Sequence, residues 1–535
     1  MKKNYALLFI GIVLLKTSFG QITFQQKFNV EGACAHQTSD GGYITCGYGL
    51  INDTSFLHWY SSLIKLNPGG DTAWTKKYYN DSIGFFTIYT EQTADGGYIL
   101  TGGTTESNSD VYNVNLIKTD ANGNIAWSSV FGHYGYDHAR EVHQTSDGGY
   151  IVVGYLQHTS GGTEDIFLVK TNATGTVLWS KVFGTINTDE AYSVKQTTDG
   201  GYIIIGVTPA INVDDIYLIK TDNAGNLLWS NIYTNNNMDA HNIFETTDGG
   251  FIITGTIDIA PGTGAKGNVL LLKTDSIGNV LWAKKYVNGK PNSGLFASIT
   301  NDNGFIIAGV ASSGNLPQPE TDILAIKTDS SGNYQWAKSY GDSTNSGFPS
   351  DEQGWYVKQT FDNGYLLSGI SIPRVWNFRL GKLYIIKTNS NGNSGCKEAV
   401  LSMTESSTTI SVNPLATSVS SGFTLYNIPI TISNGNDSVH TLCFSPLGIA
   451  DNGEQPTDFF TLFPNPTSSS ISLTFNEEQK NSTLKIIDVV GKEVFHSTIN
   501  EKQTTIEISA LAKGIYFVEV INLDLQVMRK KIIKE

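Results

Sequence analysis

One short phrase recurs seven times along this chain, and the repetition constrains the fold more than any other feature. The phrase is an aspartate, then glycine or asparagine, then glycine and an aromatic residue. It starts at Asp40, Asp95, Asp147, Asp199, Asp248, Asp302 and Asp362. A tryptophan recurs in a second slot, at Trp74, Trp127, Trp179, Trp229, Trp282 and Trp336. A period of about 50 residues is typical of propellers and other repeat folds.

Each copy predicts four short strands. In the third copy they are Ala139–Gln144, Tyr150–Tyr155, Ile166–Thr171 and Val177–Phe183, all rich in Ile, Val, Tyr or Phe. Glycine-containing turns that suit tight hairpins separate them. Four antiparallel strands in each of seven copies predict an all-β chain with a seven-bladed β-propeller over residues 21–396.

The two ends of the repeat array predict how the ring closes. The seventh copy has its third strand at Leu383–Thr388, but Cys396 follows where a tryptophan and a fourth strand are due. At the other end, Ile22–Phe28 fits the pattern of a fourth strand without a blade of its own. Pairing these two strands would complete the seventh blade and remove two exposed sheet edges.

Residues 1–20 have the features of a signal peptide. Met1-Lys2-Lys3 is basic, Tyr5–Leu15 is an unbroken run of eleven apolar residues, and cleavage is expected before Gln21. Eleven residues are too few to cross about 30 Å of hydrocarbon as a helix. Cleavage would remove three lysines and change the net charge from −14 to 32 − 49 = −17. A chain this acidic does not favour nucleic acid as a partner.

Because exported proteins meet oxidising conditions, the four cysteines are predicted to form disulfide bonds. Cys34 and Cys46 lie six residues on either side of Asp40, so they are expected opposite each other on paired strands. Cys396 and Cys443 form the second predicted pair, and the alternative is free or differently paired thiols.

The repeats resemble two known propeller motifs. Asn172–Trp179 is similar to the tryptophan-docking motif of quinoprotein-type propellers, and the Asp, Gly and Trp spacing resembles the Asp-box turns of sialidases. Both motifs are structural in those families, so the resemblance implies an architecture rather than an activity. A sialidase also needs an arginine cluster, whereas the propeller has only Arg140, Arg374 and Arg379. A quinoprotein dehydrogenase needs adjacent cysteines, and the sequence has none.

No metal or cofactor is predicted. Turns such as Asp275–Asn279 offer one carboxylate, whereas calcium needs several oxygen ligands. His133, His138 and His143 cluster in the third copy but match no metal-binding spacing.

Loops at one rim vary among the copies, and they predict the ligand-binding face. The turns at the opposite rim keep their length and composition. Large aromatics and arginines on variable loops suit a carbohydrate- or protein-binding surface, although they also serve to cap blade ends. The candidate binding residues are Trp59, Tyr134, Tyr136, Arg374, Trp376, Phe378 and Arg379.

The repeat ends at residue 396, and two further segments follow. Eleven of the twenty residues of Ser402–Ser421 are serine or threonine, so 397–456 is predicted to be a linker with a few loose strands. Residues 457–535 alternate apolar and polar positions and predict a small Ig-like β-sandwich of about seven strands.

This last segment closely resembles the type A C-terminal sorting domain of the bacterial type IX secretion system. The resemblance implies Sec export, passage through the outer-membrane translocon, and removal of the domain by the system's cell-surface protease. It further implies release or attachment to an anionic lipopolysaccharide, and the alternative is a generic adhesive sandwich. The residues that carry it are Pro464, Asn465, Pro466, Gly491, Gly514, Tyr516, Lys530 and Lys531.

Taken together, the sequence predicts a secreted or surface-displayed propeller, without enzymatic activity, that binds a glycan or protein through its variable rim. The alternative is a secreted polysaccharide hydrolase or lyase with its site in the central channel. That alternative needs converging acids near the channel, for which Asp137, Glu190 and Asp239 are the candidates.

Overall fold

The chain forms two compact units, Gln21–Gly448 and Ile449–Glu535, and every described element is a β-strand. The computed structural model describes residues 21–534 except 33, 53–56, 81, 107–111, 133–134, 158–162, 210–213, 236, 260–266, 313–319, 342–349, 375–380, 416, 421–423, 427–430, 435–438, 446–459, 465–466, 476–481, 489–492 and 522–526. Within these ranges no helix is long and apolar enough to cross a membrane.

Twenty-eight strands of the first unit build seven four-stranded blades, which are numbered in chain order. The opening strand is β1 (Thr23–Phe28). Blade 1 consists of β2 (Ala35–Gln37), β3 (Tyr43–Asn52), β4 (Leu57–Leu66) and β5 (Thr72–Tyr79). Blade 2 consists of β6 (Ile83–Gln92), β7 (Tyr98–Glu106), β8 (Tyr112–Thr119) and β9 (Ile125–Gly132). Blade 3 consists of β10 (Asp137–Gln144), β11 (Tyr150–Gln157), β12 (Glu164–Thr171) and β13 (Val177–Gly184). The four predicted strands of the third copy are confirmed.

The remaining blades repeat this arrangement, and the strand order within each follows the chain. Blade 4 consists of β14 (Glu190–Gln196), β15 (Tyr202–Thr208), β16 (Asp215–Thr221) and β17 (Leu227–Thr234), and blade 5 of β18 (Met238–Glu245), β19 (Phe251–Ile257), β20 (Asn268–Thr274) and β21 (Val280–Val287). Blade 6 consists of β22 (Asn292–Ile299), β23 (Phe305–Ser312), β24 (Thr321–Thr328) and β25 (Tyr334–Tyr340). Blade 7 contains β26 (Ser350–Gln359), β27 (Tyr365–Pro373) and β28 (Lys382–Thr388).

The ring closes as the sequence predicts. Strand β1 pairs antiparallel with β28 and supplies the fourth strand of blade 7, with Phe28 opposite Leu383. Strands β2 and β27 are in contact, so blade 1 packs against blade 7. The propeller therefore has no open seam between its first and last blades.

Adjacent blades are joined by the repeated tryptophan. Trp127 of blade 2 packs on Gly175 in the outer turn of blade 3, where a Cβ atom would lie 2.4 Å from the indole ring. Gly175 has φ of +79°, a conformation that glycine adopts without strain. Blade 7 has Phe24 in this slot, and Phe24 packs in the same way on Gly70 of blade 1.

The seven repeated aspartates hold the turns between the first two strands of each blade. Each accepts a hydrogen bond from a lysine of its own blade, as in Lys170 Nζ to Asp147 Oδ1 at 3.0 Å. Burial acts to raise the pKa of Asp147, but hydrogen bonds from Thr145, Lys170 and the Gly149 N–H outweigh it and lower the pKa to about 2. Hydrogen bonds likewise outweigh burial and lower the pKa of four more to about 2: Asp95, Asp199, Asp248 and Asp302.

These lowered pKa values predict a stability that depends on acid pH. A carboxyl group with a lowered folded-state pKa stabilises the fold above its ordinary value, 3.8 for Asp147, and loses that contribution as the pH falls towards about 2. We expect the melting temperature to fall between about pH 4 and pH 2, and less steeply in the Asp147→Asn variant. Calorimetry across this range measures both slopes, and identical slopes would contradict the assignment.

Residues 398–445 run once around the outside of the propeller, and we call their seven strands the belt. In order they pair with the outer strands of blades 6, 5, 4, 3, 2, 1 and 7, so every blade has five strands. They are β29 (Glu398–Leu401), β30 (Thr404–Ser407), β31 (Ser411–Pro414), β32 (Ser418–Ser420), β33 (Thr424–Tyr426), β34 (Thr431–Asn434) and β35 (Val439–Ser445).

The belt corrects the linker that composition predicted for 397–456. Its strands are three to seven residues long and lie at sheet edges, so they need few apolar side chains. Met403 is buried in a cluster shared by blades 5 and 6, and Ile410 in one shared by blades 4 and 5, whereas most other described belt residues are partly or fully exposed. Serine and threonine therefore suffice where backbone pairing provides the main contact.

The cysteines lie where predicted, but the first pair is not bonded. Cys34 and Cys46 are buried free thiols with Sγ atoms 3.6 Å apart, whereas a disulfide needs about 2 Å. Cys396 and Cys443 both adjoin Gln25, whose side-chain amide donates to the Cys396 carbonyl and whose backbone pairs with Cys443. Their bridge stays a prediction, because the Cys443 side chain lies outside the described residues.

The second unit is a small sandwich of two sheets, as predicted. One sheet has the order β36-β37-β40 and the other β39-β38-β41-β42, and residues such as Leu473 and Val518 fill the core between them. The strands are β36 (Phe460–Phe463), β37 (Ser470–Phe475), β38 (Ser482–Asp488), β39 (Glu493–Ile499), β40 (Gln503–Glu507), β41 (Gly514–Ile521) and β42 (Val527–Lys534).

Several of the predicted sorting residues have structural roles in this sandwich. Tyr516 on β41 donates a hydrogen bond to the Ala512 carbonyl at 3.0 Å, and the Lys530 ammonium lies 5.5 Å from the centre of the Phe460 ring. Pro464 directly follows β36, Gly514 begins β41, and Lys531 lies within β42. Asn465, Pro466 and Gly491 lie outside the described residues.

Candidate functional site: a cavity on the propeller axis

The first strand of a blade lies nearest the propeller axis, and six of these inner strands contain a β-bulge. Each skips one residue in its pairing with the second strand, as at Tyr192 between Ala191 and Ser193. A bulge leaves the extra residue unpaired and redirects its side chain. The skipped residues are Ile88, Arg140, Tyr192, His241, Leu295 and Trp355.

A glycine in the second strand of each blade makes room for the bulge. At Gly206 of blade 4, an added Cβ atom would lie 2.1 Å from the Glu190 carbonyl oxygen of the inner strand. The equivalent distance is 1.9 Å from Gly154 to His138 and 1.8 Å from Gly369 to Gln353. A side chain at these positions would therefore force the bulged strand away.

All six bulge residues line one cavity with a volume of about 390 Å³. Small-molecule sites in proteins have volumes of about 300–1,000 Å³. Aromatic and aliphatic side chains form most of the wall, and a few polar groups interrupt it. The other lining residues are Glu31, Gly32, Cys34, Tyr48, Tyr89, Glu141, Phe296, Gln353, Tyr356, Ile370 and Ile372.

Four of the bulge residues contact one another along the cavity wall. The Arg140 guanidinium lies over the Tyr192 ring at 5.2 Å, within the range of a cation–π contact. The Tyr192 and His241 rings are 4.4 Å apart, and Trp355 meets His241 edge-on at 6.1 Å. The wall is therefore continuous from blade 3 to blade 5 and reaches blade 7.

Two nitrogen atoms in this wall are buried without a hydrogen-bond partner among the described residues: Arg140 Nε and His241 Nδ1. One other nitrogen of each side chain has an acidic neighbour: Arg140 Nη2 lies 3.8 Å from Glu190, and His241 Nε2 lies 3.5 Å from Asp239. A buried polar atom without a partner is uncommon in a folded protein.

Beneath the cavity, charged side chains form a buried network. The Glu141 carboxylate accepts hydrogen bonds from Lys195 Nζ at 2.6 Å and Ser193 Oγ at 2.7 Å, and lies 3.0 Å from His143 Nε2. Burial acts to raise the pKa of Glu141, but Lys195 and His143 outweigh it and hold the pKa well below its usual value. The other imidazole nitrogen of His143 lies 2.8 Å from Glu91.

A row of half-buried rings leads from the variable rim to Arg140. Tyr48 contacts Trp59 and Phe86, Tyr112 stacks on Tyr136 at 4.9 Å, and Arg140 lies 5.1 Å over Tyr155. Ring centroids of neighbours in the row are no more than 6.1 Å apart. We call this set the aromatic row: Trp59, Tyr48, Phe86, Tyr112, Tyr136, His138 and Tyr155.

The candidate rim residues divide into three groups. Trp59 and Tyr136 belong to the aromatic row. Arg374 forms a bidentate ion pair with Asp351, with Nε and Nη2 at 2.9 and 2.5 Å from its oxygens, and does not line the cavity. Tyr134, Trp376, Phe378 and Arg379 lie outside the described residues.

The three acids proposed for the channel mouth do not line the cavity themselves, and two of them, Glu190 and Asp239, lie behind wall residues. Asp137 is buried at the start of β10, Glu190 accepts a hydrogen bond from Tyr192, and Asp239 accepts one from the Thr256 N–H. None of the three is among the described lining residues.

The bulge residues were missed, although a signal for them is present in the repeats. Each lies seven residues before the turn aspartate, and the glycine that permits the bulge lies seven residues after it. Side chains on a regular strand alternate between its two faces, and a prediction from this alternation puts the bulge residues on the face away from the cavity. The prediction fails because a bulge inserts one extra residue and shifts the alternation by one. The seven residues at this position are all different: Ala33, Ile88, Arg140, Tyr192, His241, Leu295 and Trp355.

The described side chains offer no cluster of three or more His, Cys, Asp or Glu residues able to hold a metal ion. The turn at Asp275 is a hairpin turn, in which the carboxylate accepts hydrogen bonds from the Ile277 and Asn279 N–H groups.

The fold and the cavity define the class: a seven-bladed propeller with a ligand-sized site on its axis and a separate sandwich at the C-terminus. Residues 461–535 match the family described as secretion system C-terminal sorting domain. The resemblance to the type IX sorting domain is thereby confirmed, and the chain is exported by that system to the cell surface or the medium. No curated protein matches the chain.

Two solved structures show weak similarity. The extracellular domain of a putative hybrid two component system from B. thetaiotaomicron has 11% identity, covers 94% of this chain and 68% of its own, and has a TM-score of 0.32. PorZ, a surface component of the type IX secretion system of Porphyromonas gingivalis, has 8% identity, covers 96% and 99%, and has a TM-score of 0.16.

Proposed function

We propose that this exported protein is a non-enzymatic carbohydrate-binding protein whose binding site is the axial cavity together with the aromatic row. One observation carries the proposal: the repeat preserves a bulge in successive blades and places a different side chain at each bulge, all facing one cavity. A scaffold that repeats while its inward residues vary is typical of a surface built to recognise an asymmetric ligand.

The chemistry of the site favours a carbohydrate over a peptide. The half-buried rings of the aromatic row leave part of their apolar surface exposed, and the C–H groups of a sugar pack well on such a surface. Arg140 and His241 add polar side chains to the cavity wall, and such side chains suit the hydroxyl groups of a sugar. After release of the sorting domain, or attachment to lipopolysaccharide, this face would meet glycans outside the cell.

The carboxyl groups near the cavity support binding rather than hydrolysis. Glu164 is hydrogen-bonded to Glu190, and burial followed by the charge of Glu190 raises the pKa of Glu164 to about 6. Hydrogen-bonded oxygens are about 2.5–3 Å apart, whereas the two carboxyls of a glycosidase are about 5–9.5 Å apart to accommodate the reaction. The Glu164–Glu190 pair is therefore closer together than the two carboxyls of a glycosidase.

Screening the mature chain, residues 21–535, on a glycan array tests this function. Against the best glycan, we expect the Trp355→Ala variant to bind at least tenfold more weakly, about 1.4 kcal/mol, because it loses a large face of the cavity wall. Phe361→Ala is the matched control, since Phe361 is 71% exposed on a turn at the opposite rim. Binding to proteins only, or glycan shortening during incubation, would overturn the proposal.

A further inference from the structure

Glu31 brings a half-buried carboxylate to the wall of the axial cavity. Its Oε2 atom accepts a hydrogen bond from the Gly381 N–H at 3.3 Å, and the Tyr48 hydroxyl group donates a second one to the carboxylate. Burial, followed by the charge of Glu31, raises the pKa of Tyr48, so this phenol stays a neutral donor. Within the described part of the chain, no lysine, arginine or histidine lies within 4.0 Å of the Glu31 carboxylate. Among these residues, neutral donors alone meet the charge of Glu31.

Two other charged groups of the described lining have partners of opposite charge. Glu141 accepts a hydrogen bond from Lys195 Nζ at 2.6 Å. Arg140 is the one arginine or lysine in this lining, and its Nη2 atom lies 3.8 Å from Glu190. A carboxylate without a counter-charge is costly in a largely apolar site, so a positively charged ligand group beside Glu31 would be stabilised. The net charge of the predicted mature chain, 32 − 49 = −17, also attracts cations.

Aromatic side chains line the same cavity, and they suit a cation as well. The faces of tyrosine, phenylalanine and tryptophan attract ammonium and guanidinium groups, and tryptophan does so most strongly. One such contact is already present, because the Arg140 guanidinium lies 5.2 Å from the centre of the Tyr192 ring. An aromatic wall also packs against the C–H groups of a sugar ring. The aromatic residues of the described lining are Tyr48, Tyr89, Tyr192, Phe296, Trp355 and Tyr356.

We infer that the cavity holds an amino-sugar unit of the glycan, with its ammonium group paired with the Glu31 carboxylate and its ring against the aromatic wall. This inference rests on the proposed function and names the class of sugar. The ammonium group only donates hydrogen bonds and carries a positive charge, which is what a carboxylate requires of a partner. A hydroxyl or N-acetyl group is neutral, so the cavity prefers an amino sugar to either alternative.

The test titrates the mature chain, residues 21–535, with hexamers of glucosamine, N-acetylglucosamine and glucose. We expect the glucosamine hexamer to bind at least about tenfold more tightly than the other two, because only its amino groups are charged. Equal affinities, a preference for a neutral hexamer, or no binding of any of the three would overturn the inference. The glycan array then decides separately whether the carbohydrate-binding function stands. Hexalysine binding as tightly as the glucosamine hexamer would overturn the sugar class, because a polycation without sugar rings would then suffice.

The Glu31→Gln variant tests the assigned partner of the ammonium group. Glutamine keeps an oxygen acceptor for the Gly381 N–H but removes the negative charge. We expect the variant to bind the glucosamine and N-acetylglucosamine hexamers with nearly equal affinity. A melting temperature within the wild-type range excludes misfolding, and a folded variant that keeps the full preference would overturn the assignment. If the variant fails to fold, the comparison of the three hexamers still decides the inference.

Glu245→Gln is the matched control, because it removes one negative charge at the opposite rim. Glu245 accepts a hydrogen bond from the Thr198 N–H at 2.8 Å, and the neighbouring blade uses Gln196 in the same way on Ser146. We expect this variant to keep the preference for the glucosamine hexamer. An equal loss of preference in the two variants would show that net charge, rather than Glu31, selects the ligand, and would overturn the inference.

Discussion

Removing residues 21–28 from the mature chain is expected to abolish the folded propeller. Strand β1 lies between β28 and the last belt strand, so its loss leaves two edges of blade 7 unpaired. Phe24 and Phe28 are fully buried, and truncating one such phenylalanine costs about 3–5 kcal/mol. Lys27 would also leave its partner Glu352, which is 1% exposed, without a counter-charge, at a further cost of about 3–5 kcal/mol.

Together these losses match or exceed the whole stability of a typical domain, about 5–15 kcal/mol. Circular dichroism and a thermal melt of the shortened chain measure the effect, and we expect no cooperative transition for the propeller. Phe24→Trp is the matched control, because it restores the residue that the other six blades use in this slot. A shortened chain that melts like the wild type would show that β1 does not close the ring.

The second large effect is expected from loss of the belt. A chain that ends at residue 396 exposes the outer edges of all seven blades, and unpaired edges promote association between molecules. It also loses the Lys284–Glu405 ion pair at 2.6 Å and the buried side chains of Met403 and Ile410. We expect a melting temperature lower by at least about 10 °C, and aggregation that light scattering detects well below the wild-type transition.

A chain that ends at residue 448 provides the control, because it lacks only the separate C-terminal unit. It is expected to keep the propeller transition of the mature protein and not to aggregate below it. Equal melting temperatures for the two shortened chains would mean that the belt contributes nothing to stability, and that the seven four-stranded blades suffice.

The sequence predicts the blades well because each fold-determining residue recurs. The turn aspartates, the tryptophan position and the strand pattern appear six or seven times. The other copies therefore fix the strand assignment where one copy is ambiguous. Closure by β1 is predictable for the same reason, since Ile22–Phe28 matches strands already known from the other copies. This strand is recognisable although Phe24 stands where the other copies have tryptophan.

The belt and the cavity escape such reasoning for different physical reasons. Belt strands are held by backbone pairing, which is indifferent to side chains, so Ser402–Ser421 has the composition of a linker. The cavity depends on bulges, which break the alternation used to assign strand faces. Of the predicted rim residues, Trp59 and Tyr136 lie in the aromatic row, whereas Arg374 is held by Asp351. The sequence does carry a signal for the cavity: the residue seven positions before each turn aspartate differs from copy to copy, as between Arg140 and Trp355.

The belt also sets the order in which this protein can mature. Strand β1 precedes its two partners in the chain by some 360 and 420 residues. Contacts so distant in sequence form slowly, so the first strand must wait, unpaired, for nearly the whole chain. The sorting domain begins only about fifteen residues after the last belt strand. The sorting domain therefore follows directly after the last strand that the propeller needs. The secretion system can recognise this domain only once every propeller strand has been made.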